Sequence, residues 1–350
     1  MSETLIIKNF GPVRSAEIEL KKINIFIGPQ GSGKSTIAKV ISAVMSDAEN
    51  RKSGIGNTQL KGKLLEELNL SSFFEEDTSI LIKSPKGSEA LLDKDENVFV
   101  VAESPSVYSR LSNSMYVPAE RTLIPLIANS SFFFIREQTP IPRYVTDFGL
   151  LFQKARAEIK SRKFNFLDEV TYHYRDGRDI LELKNGKFIT LSEASNGMQT
   201  TVPLLLALDW LTSKIESRVN DKKIYVSIEE PELSLFPFTQ NDLLKFVIEK
   251  IAPLDFHLSI TTHSPYTLTA INNLIYAFQV GSKHLQTNEI VPRELWLDPS
   301  GIGAWFVENG TVRSIMDEET QLINTEEIDK ISEIIGDTME SLATIKMRGQ

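Results

Sequence analysis

The sequence predicts an α/β fold built on a phosphate-binding loop, and three observations support this. Residues 28–36 read GPQGSGKST and match the pattern G-x-x-x-x-G-K-[ST] without a mismatch. The β-branched run Ile23–Ile27 precedes this loop, and residues 35–45 follow it with a helical pattern. Further along the chain, the apolar run 225–228 ends in carboxylates, at the strand end where α/β sheets bind ligands.

The residue types of the loop explain how it would hold phosphate. Glycines let the backbone turn tightly and point successive N–H groups inward, which forms a concave anion site. The lysine can reach the β- and γ-phosphates, the serine hydroxyl can ligate Mg²⁺, and the helix dipole favours a bound anion. The predicted triphosphate site therefore consists of Gly28, Gly31, Gly33, Lys34, Ser35 and Thr36, with Ser35 also a metal ligand.

Composition limits the remaining possibilities. The chain has 350 residues, a formal net charge of −9 and no cysteine, so disulfides, thiolate metal sites and cysteine nucleophiles are excluded. The N-terminus lacks the pattern of a signal peptide, and the longest apolar stretch, 201–211, is too short to span a membrane. We expect a soluble cytoplasmic protein without a membrane partner. Its acidity disfavours indiscriminate nucleic-acid binding but leaves room for a local basic patch.

In chain order, three strands are predicted before the loop, at 5–7, 16–20 and 23–27, with a turn at 9–12. Short strands at 97–101 and 114–117, a hairpin at 171–174 and 180–183, and a third strand at 188–191 follow. A helix over 201–211, a strand over 223–228, a helix over 240–251 and a strand over 257–261 come next. The acidic tail predicts an amphipathic helix over 326–342.

Two charged segments in the middle of the chain leave alternatives open. Glu120 and Arg121 follow the strand 114–117. Contact with a ligand at this strand end and a solvated turn are equally favoured interpretations. A predicted helix over 148–164 carries the basic residues Lys154, Arg156, Lys160, Arg162 and Lys163. These side chains could contact phosphates or an acidic partner, although a solvated helix face is the favoured interpretation.

The strand 225–228 leads into Glu229, Glu230, Pro231 and Glu232. In a phosphate-loop enzyme the first such acid holds Mg²⁺ directly or through water, which assigns Glu229 to the metal. The second acid, Glu230, can deprotonate the attacking water, a role worth about 10²–10⁴ in rate. Two carboxylates buried only for structure would be costly without partners. His263 follows the next strand, where it can donate to a γ-phosphate oxygen.

The order of the phosphate loop, ASNGMQ at 194–199, EEPE at 229–232 and THSP at 262–265 resembles the ABC ATPase superfamily. The similar branch is soluble and includes RecF, SMC-type heads and the overcoming-lysogeny-defect ATPases. The opening IIKNFGP at 6–12 and the THSP tetrapeptide especially resemble the last group. The resemblance covers about residues 3–275. It implies a P-loop ABC-type ATPase head with N-terminal mixed β-structure and an inserted helical lobe.

The resemblance also implies roles for single residues. Ser195 and Gly197 match the signature that binds the γ-phosphate of ATP held by the opposing protomer. Glu230 matches the catalytic glutamate and His263 the switch histidine, and residues 233–235 match the loop that spans the dimer. This implies a homodimer of ATPase heads, or a higher oligomer, closing around ATP and Mg²⁺. Glu120 or Arg121 lies near the family's Q-loop position, although no glutamine is present there.

The chain also departs from the family pattern. Gln30 and Asn196 replace the usual asparagine and glycine, and Glu229 replaces the usual aspartate. These changes bear on the hydrolysis rate more than on ATP binding. Prolines interrupt any heptad pattern before the signature, which argues against a long-armed SMC-type protein. The segment after His263 is too short and too poor in clustered acids to predict a fused nuclease domain.

From these features we expect four units: residues 1–46 and 191–310 as the ATP-binding core, 47–190 as the inserted lobe, and 311–350 as an acidic appendage. The leading hypothesis is a stand-alone Mg²⁺-dependent ATPase that hydrolyses ATP to ADP and phosphate and dimerises around ATP. It would control a separately encoded effector, a nuclease or toxin, in antiviral defence. The alternatives are an ATP-bound scaffold that sequesters a partner and a RecF-like repair ATPase that binds DNA through the basic residues of 154–163. A transporter subunit is the least favoured.

Overall fold

The computed structural model describes residues 3–46, 68–83, 89–93, 100–101, 114–128, 141–218 and 223–326, together with 337, 342 and 345–346. The strands are β1 Glu3–Phe10, β2 Val13–Leu20, β3 Ile23–Ile27, β4 Phe74–Lys83, β5 Glu89–Asp93, β6 Val100–Val101, β7 Ser114–Val117, β8 Ser161–Phe164, β9 Val170–Arg175, β10 Arg178–Glu182, β11 Phe188–Thr190, β12 Lys223–Glu229, β13 Asp255–Thr262, β14 Ile302–Glu308 and β15 Thr311–Ser314. The α-helices are α1 Lys34–Ser46, α2 Arg143–Ile159, α3 Asn196–Glu216, α4 Pro237–Ile251, α5 Pro265–Gly281 and α6 Thr287–Ile290.

Within these residues, eleven strands form one mixed sheet in the order β6-β5-β4-β1-β2-β15-β14-β3-β13-β12-β7. The half from β14 to β7 is parallel, with Ile25 of β3 opposite Ile260 of β13. Parallel strands are covered on both faces, which explains why β3 is buried at every position and is apolar at every position except Asn24. From β6 to β2 the pairs are antiparallel, β15 pairs in parallel with β2 and antiparallel with β14, and β2 alternates between buried and exposed side chains. The predicted α/β fold with mixed N-terminal β-structure is confirmed.

The middle of the chain forms a second, antiparallel sheet in the order β11-β10-β9-β8. The predicted hairpin is present, and its turn is Asp176-Gly177, where both residues have positive φ. The predicted helix over 148–164 is wrong at both ends. It begins at Arg143 and ends at Ile159, because Lys160 adopts φ 55° and the chain then enters β8. The lobe between the loop and the signature therefore contains a sheet as well as helices.

The structure differs from the expected unit boundaries in two places. Within the segment 47–190, β7 pairs in parallel with β12 and so belongs to the core sheet. Strand β4 of the same segment pairs with β1 in the antiparallel part of that sheet. At the boundary after residue 310, β15 pairs with β14 and Thr311 lies opposite Ser15 of β2. The core sheet therefore continues to Ser314. The predicted strand 97–101 is described only at Val100–Val101, and most of the predicted tail helix 326–342 lies outside the described residues.

The parallel half of the sheet places the functional motifs at one edge. The loop of residues 28–33 follows the carboxyl end of β3, the acids follow that of β12, and His263 follows that of β13. Because these three strands are neighbours in the sheet, their ends lie side by side. Among the described helices, none is both long and apolar enough to cross a bilayer.

Candidate nucleotide-binding site

Two glycines fix the phosphate loop against the sheet. Gly28 has φ 154°, and a Cβ there would lie 2.0 Å from the carbonyl oxygen of Val307 in β14. Gly33 has φ 109°, and its Cβ would lie 2.8 Å from Cγ2 of Val13. A side chain at either position would collide with the sheet, so the backbone can approach this closely only with glycine. Gly31 has φ 74° and open space around it.

The side chain of Lys34, the predicted phosphate ligand, lies inside the phosphate loop. The side chain is 5% exposed, and its ammonium donates to the carbonyl oxygens of Gly28 at 2.9 Å and Pro29 at 2.7 Å. Burial lowers the pKa of Lys34, while the carboxylates at 229, 230 and 232 act in the opposite direction. Ser35 is exposed and Thr36 is buried. Ser35 is therefore open to solvent at the first turn of α1, where its hydroxyl is accessible to a bound metal.

Glu229 ends β12 and is 3% exposed. Its Oε1 accepts a hydrogen bond from the Tyr116 hydroxyl at 2.5 Å, and its Oε2 accepts one from the backbone N–H of Ala119 at 3.1 Å. Burial and the negative charge of Glu229 raise the pKa of Tyr116, so the phenol keeps its proton and remains a donor. Both carboxylate oxygens already have donors, which favours contact with a metal through water over direct ligation.

Glu230 and His263, the predicted catalytic pair, lie next to each other. Glu230 adopts φ 42°, and its N–H donates to the carbonyl oxygen of Thr261 at 2.8 Å. Its Oε1 lies 3.6 Å from Nε2 of His263, and both side chains are partly exposed. A carboxylate that reaches solvent beside the phosphate loop has the position a general base requires.

Glu232 joins the ends of the two strands, a role that sequence reasoning missed. Its Oε1 accepts from the Thr262 hydroxyl at 2.8 Å and from the backbone N–H of His263 at 2.7 Å. The third carboxylate of the EEPE segment was the available signal. These hydrogen bonds fix the position of the segment that carries His263 relative to Glu229 and Glu230.

The signature residues are placed at the start of a long helix. Ser195 is the N-cap of α3, and its Oγ accepts from the N–H of Met198 at 3.4 Å. Ser195 is exposed, whereas Gly197 is buried and its Cβ would lie 2.7 Å from the carbonyl oxygen of Ser234. Thr200 donates its hydroxyl to the carbonyl oxygen of Leu233 at 3.2 Å, so the loop 233–235 packs on this helix. Within the described residues, no hydrogen bond or ion pair joins Ser195 or Gly197 to the phosphate loop.

The basic residues predicted on one helix are largely paired with acids. The ion pairs are Arg156 with Asp179 at 2.6 Å, Arg162 with Asp209 at 2.8 Å, and Lys163 with Glu169 at 3.7 Å. Two of these residues, Arg162 and Lys163, belong to β8. The idea of one continuous basic helix face is therefore wrong.

The residues present suit Mg²⁺ bound together with a triphosphate. Within the described ranges, no group of three or more histidine, aspartate and glutamate side chains forms a metal cage. Mg²⁺ does not need such a cage, because it keeps several waters and takes one or two protein oxygens plus substrate phosphates. The hydroxyl of the exposed Ser35 and the carboxylate of Glu229 at the end of β12 are oxygen donors that suit this kind of site.

A family model described as an AAA ATPase domain matches residues 1–115, a range that contains the phosphate loop. The predicted resemblance to ATPases is confirmed over this part of the chain. No curated protein sequence matches the chain.

The chain is also similar to several solved structures. The SMC head domain from Thermotoga maritima has 13% identity and a TM-score of 0.41, covering 90% of this chain and 98% of that one. The recombination mediator protein RecF has 11% identity and a TM-score of 0.40, with the same coverage of 90% and 98%. The cbiO1 protein of Clostridium perfringens, part of an ABC transporter complex, has 12% identity and a TM-score of 0.37, covering 99% and 98%. Because these TM-scores lie below 0.5, the fold assignment rests on the strand order and the phosphate loop.

Proposed function

We propose that the protein is a Mg²⁺-dependent ATPase that binds ATP between two copies of itself and uses the closed dimer to control a partner. The arrangement of the two halves of the site carries this proposal. The loop, the acid pair and His263 converge at one sheet edge, whereas the exposed N-terminus of α3 is unconnected to the phosphate loop of its own chain. A second copy would supply the missing half.

Each residue then has a defined task. The loop N–H groups and Lys34 bind the phosphates of ATP, and the Ser35 hydroxyl contacts Mg²⁺. Glu230 accepts the proton of the attacking water, and His263 donates to a γ-phosphate oxygen. Mg²⁺, when bound, neutralises charge that develops on the phosphates. Ser195 and the first N–H groups of α3 contact the same phosphate from the opposing copy.

The surface beside the signature supports self-association. Phe236 and Phe238 are 69% and 79% exposed, and their ring centroids lie 6.0 Å apart. They directly follow the loop 233–235, which packs on α3, the helix that Ser195 caps. Exposed aromatic pairs of this kind are unfavourable in water and are typical of contact surfaces.

The controlled partner is proposed to be a separately encoded effector, a nuclease or a toxin, acting in antiviral defence. Support comes from the ATP site and from the family resemblance described for the sequence. Purification of the native complex under Mg²⁺-ATP should recover such a partner. Full protection against phage by this chain alone would contradict effector control while leaving the ATPase proposal intact.

The ATPase proposal is tested by measuring ATP turnover and molecular mass together, on wild type and on Glu230→Gln. We expect wild type to hydrolyse ATP and to dimerise transiently. Glu230→Gln should lose turnover by about 10²–10⁴ and accumulate a stable dimer, because ATP binds but is not consumed. A wild type that neither turns over nor changes mass with Mg²⁺-ATP would contradict the proposal.

A scaffold that holds ATP without turnover is the second candidate. The observation that favours it is the carboxylate of Glu229, which already accepts two hydrogen bonds and is nearly inaccessible. Such a protein would form an ATP-dependent dimer in wild type with no release of phosphate. RecF-like DNA binding is a weaker alternative because its proposed basic residues are mostly paired. It predicts DNA affinity that falls steeply with salt.

A further inference from the structure

Arg121 is the largest fully buried side chain of the described residues, with 0% exposure. It lies in the short 3-10 turn Ala119–Leu123 that follows β7. Its guanidinium donates four hydrogen bonds, all to backbone carbonyl oxygens: those of Thr200 at 3.2 Å, Pro118 at 3.0 Å, Glu229 at 2.7 Å and Glu230 at 2.6 Å. No ion pair to a carboxylate is formed within the described part of the chain.

A charged side chain at this buried position destabilises the fold, because it has lost its contact with water. Burial lowers the pKa of Arg121 to about 10, against the opposing effect of the nearby carboxylates, led by Glu232. The side chain is thus still charged at neutral pH. Apolar residues of similar volume usually stabilise a core at least as well as a buried charge does. A contribution to the stability of the fold therefore does not explain why an arginine occupies position 121.

One hydrogen bond of Arg121 holds the backbone of Glu230, the proposed general base. Glu230 has the left-handed φ of 42°, which is unfavourable for a side chain of this kind. Its N–H is bonded to Thr261 and its carbonyl oxygen to Arg121, so both peptide groups that flank its Cα are fixed. The direction of its carboxylate, towards His263, depends on this backbone conformation.

The same guanidinium contacts the signature helix. Thr200 lies in the second turn of α3, which begins directly after Ser195. Nε of Arg121 donates to the carbonyl oxygen of Thr200, and its two Nη atoms donate to the backbone carbonyl oxygens of Glu229 and Glu230. One rigid, planar group thus links the helix that would meet the partner's ATP to the strand end that carries the base for its own ATP.

We propose that Arg121 is a positioning residue that couples engagement of the signature helix to the placement of Glu230. The inference rests on the proposed function, because it assumes a dimer closed around ATP. A shift of α3 on closure would move Arg121, and Arg121 would move the carbonyl of Glu230. Hydrolysis would then be fast only when the partner's nucleotide has been engaged.

The test compares Arg121→Lys with wild type and with Arg156→Lys. Lysine keeps the charge but lacks the planar fork with which arginine bonds four separated carbonyl groups. Arg156 is the matched control, because it is also buried but pairs with Asp179, away from the acid pair. We expect Arg121→Lys to lower kcat about 100-fold with KM unchanged, since a misplacement of about 1 Å can have this effect. Its ATP-bound dimer should live longer than that of wild type.

Each result separates the possibilities. Arg156→Lys should lose thermal stability but keep the kcat of wild type. An unchanged kcat in Arg121→Lys, or a loss of kcat accompanied by an equal loss of ATP affinity, would overturn the inference. So would failure of Arg121→Lys to fold when Arg156→Lys folds, because that outcome assigns Arg121 to stability alone. If wild type neither hydrolyses ATP nor dimerises, the proposed function fails and this inference fails with it.

Discussion

Removal of one hydroxyl, in Tyr116→Phe, tests the account of the buried acid. The Tyr116 hydroxyl donates to Glu229 at 2.5 Å, and Glu229 is 3% exposed. Without this donor, the carboxylate keeps only the Ala119 N–H and cannot be solvated instead. A hydrogen bond to a charged group contributes about 1.5–3 kcal/mol, and the loss should lie in this range because the partner remains buried.

This energy converts to a measurable shift in melting temperature. Unfolding entropies of about 2 cal/mol/K per residue, taken over 350 residues, give about 0.7 kcal/mol/K. Tyr116→Phe should therefore lower Tm by about 2–4 °C in a thermal unfolding scan. The matched control is Tyr144→Phe, which removes a hydroxyl bonded at 2.9 Å to the exposed carboxylate of Glu120. Water can replace that donor, so the control should lose less than about 1 kcal/mol.

The comparison of the two variants decides the matter. If Tyr116→Phe shifts Tm no more than Tyr144→Phe, the hydrogen bond from Tyr116 does not stabilise the buried carboxylate of Glu229 as described. A rise in Tm for Tyr116→Phe would contradict the reasoning more strongly, because it would mean that the Tyr116 hydroxyl destabilises the folded protein.

Three further predictions concern separate parts of the molecule. Gly28→Ala should destabilise the protein by about 3 kcal/mol or more, because its Cβ meets a β14 carbonyl oxygen at 2.0 Å. Gly31→Ala, with open space, should lose only about 1 kcal/mol from backbone strain; equal Tm shifts would be contrary evidence. Phe238→Ser should weaken the ATP-dependent dimer in light scattering, whereas Phe188→Ser, also exposed but on β11, should not. Burial lowers the pKa of His257 to about 4, so the unfolded chain binds an extra proton between about pH 6.5 and 4. Stability should fall by up to about 3 kcal/mol as pH drops through this window, and His257→Gln should show a smaller fall in urea unfolding.

The phosphate loop, the acid pair and His263 could be predicted from sequence because each is a short motif at the end of an apolar strand. Parallel strands are covered on both faces, so β3 and β12 are mostly apolar, interrupted by Asn24 and Ser227, and are easy to recognise. The motifs then identify which strand ends must meet. Neighbouring strand ends in one sheet supply the geometry that the motifs require.

The roles of Tyr116 and Arg121 could not be predicted in the same way. Their bonds to Glu229 join residues separated by 113 and 108 positions, and no local pattern records such a pairing. The helix α2 was misplaced because it ends at a lysine with positive φ, a position where glycine is the usual signal. Strand β15 was placed outside the core because it has only four residues and its partner β2 is far away in the chain.

The central claim is that the ATP site is composite, with the phosphate loop from one copy and the signature from the other. Two inactive variants can test it. Lys34→Ala removes the phosphate contact, while Ser195→Asp keeps a good helix N-cap but places a negative charge against the phosphate. A mixed dimer of these variants would contain one fully intact site and one doubly defective site.

The most direct measurement is the ATP turnover of this mixture. We predict recovery of up to about one quarter of wild-type activity, because half of randomly formed dimers are mixed and each has one of two sites intact. The control mixture, Lys34→Ala with Glu230→Gln, should stay inactive, since both changes belong to the half-site of the same chain. No recovery in the first mixture, or equal recovery in both, would contradict a site shared between two copies.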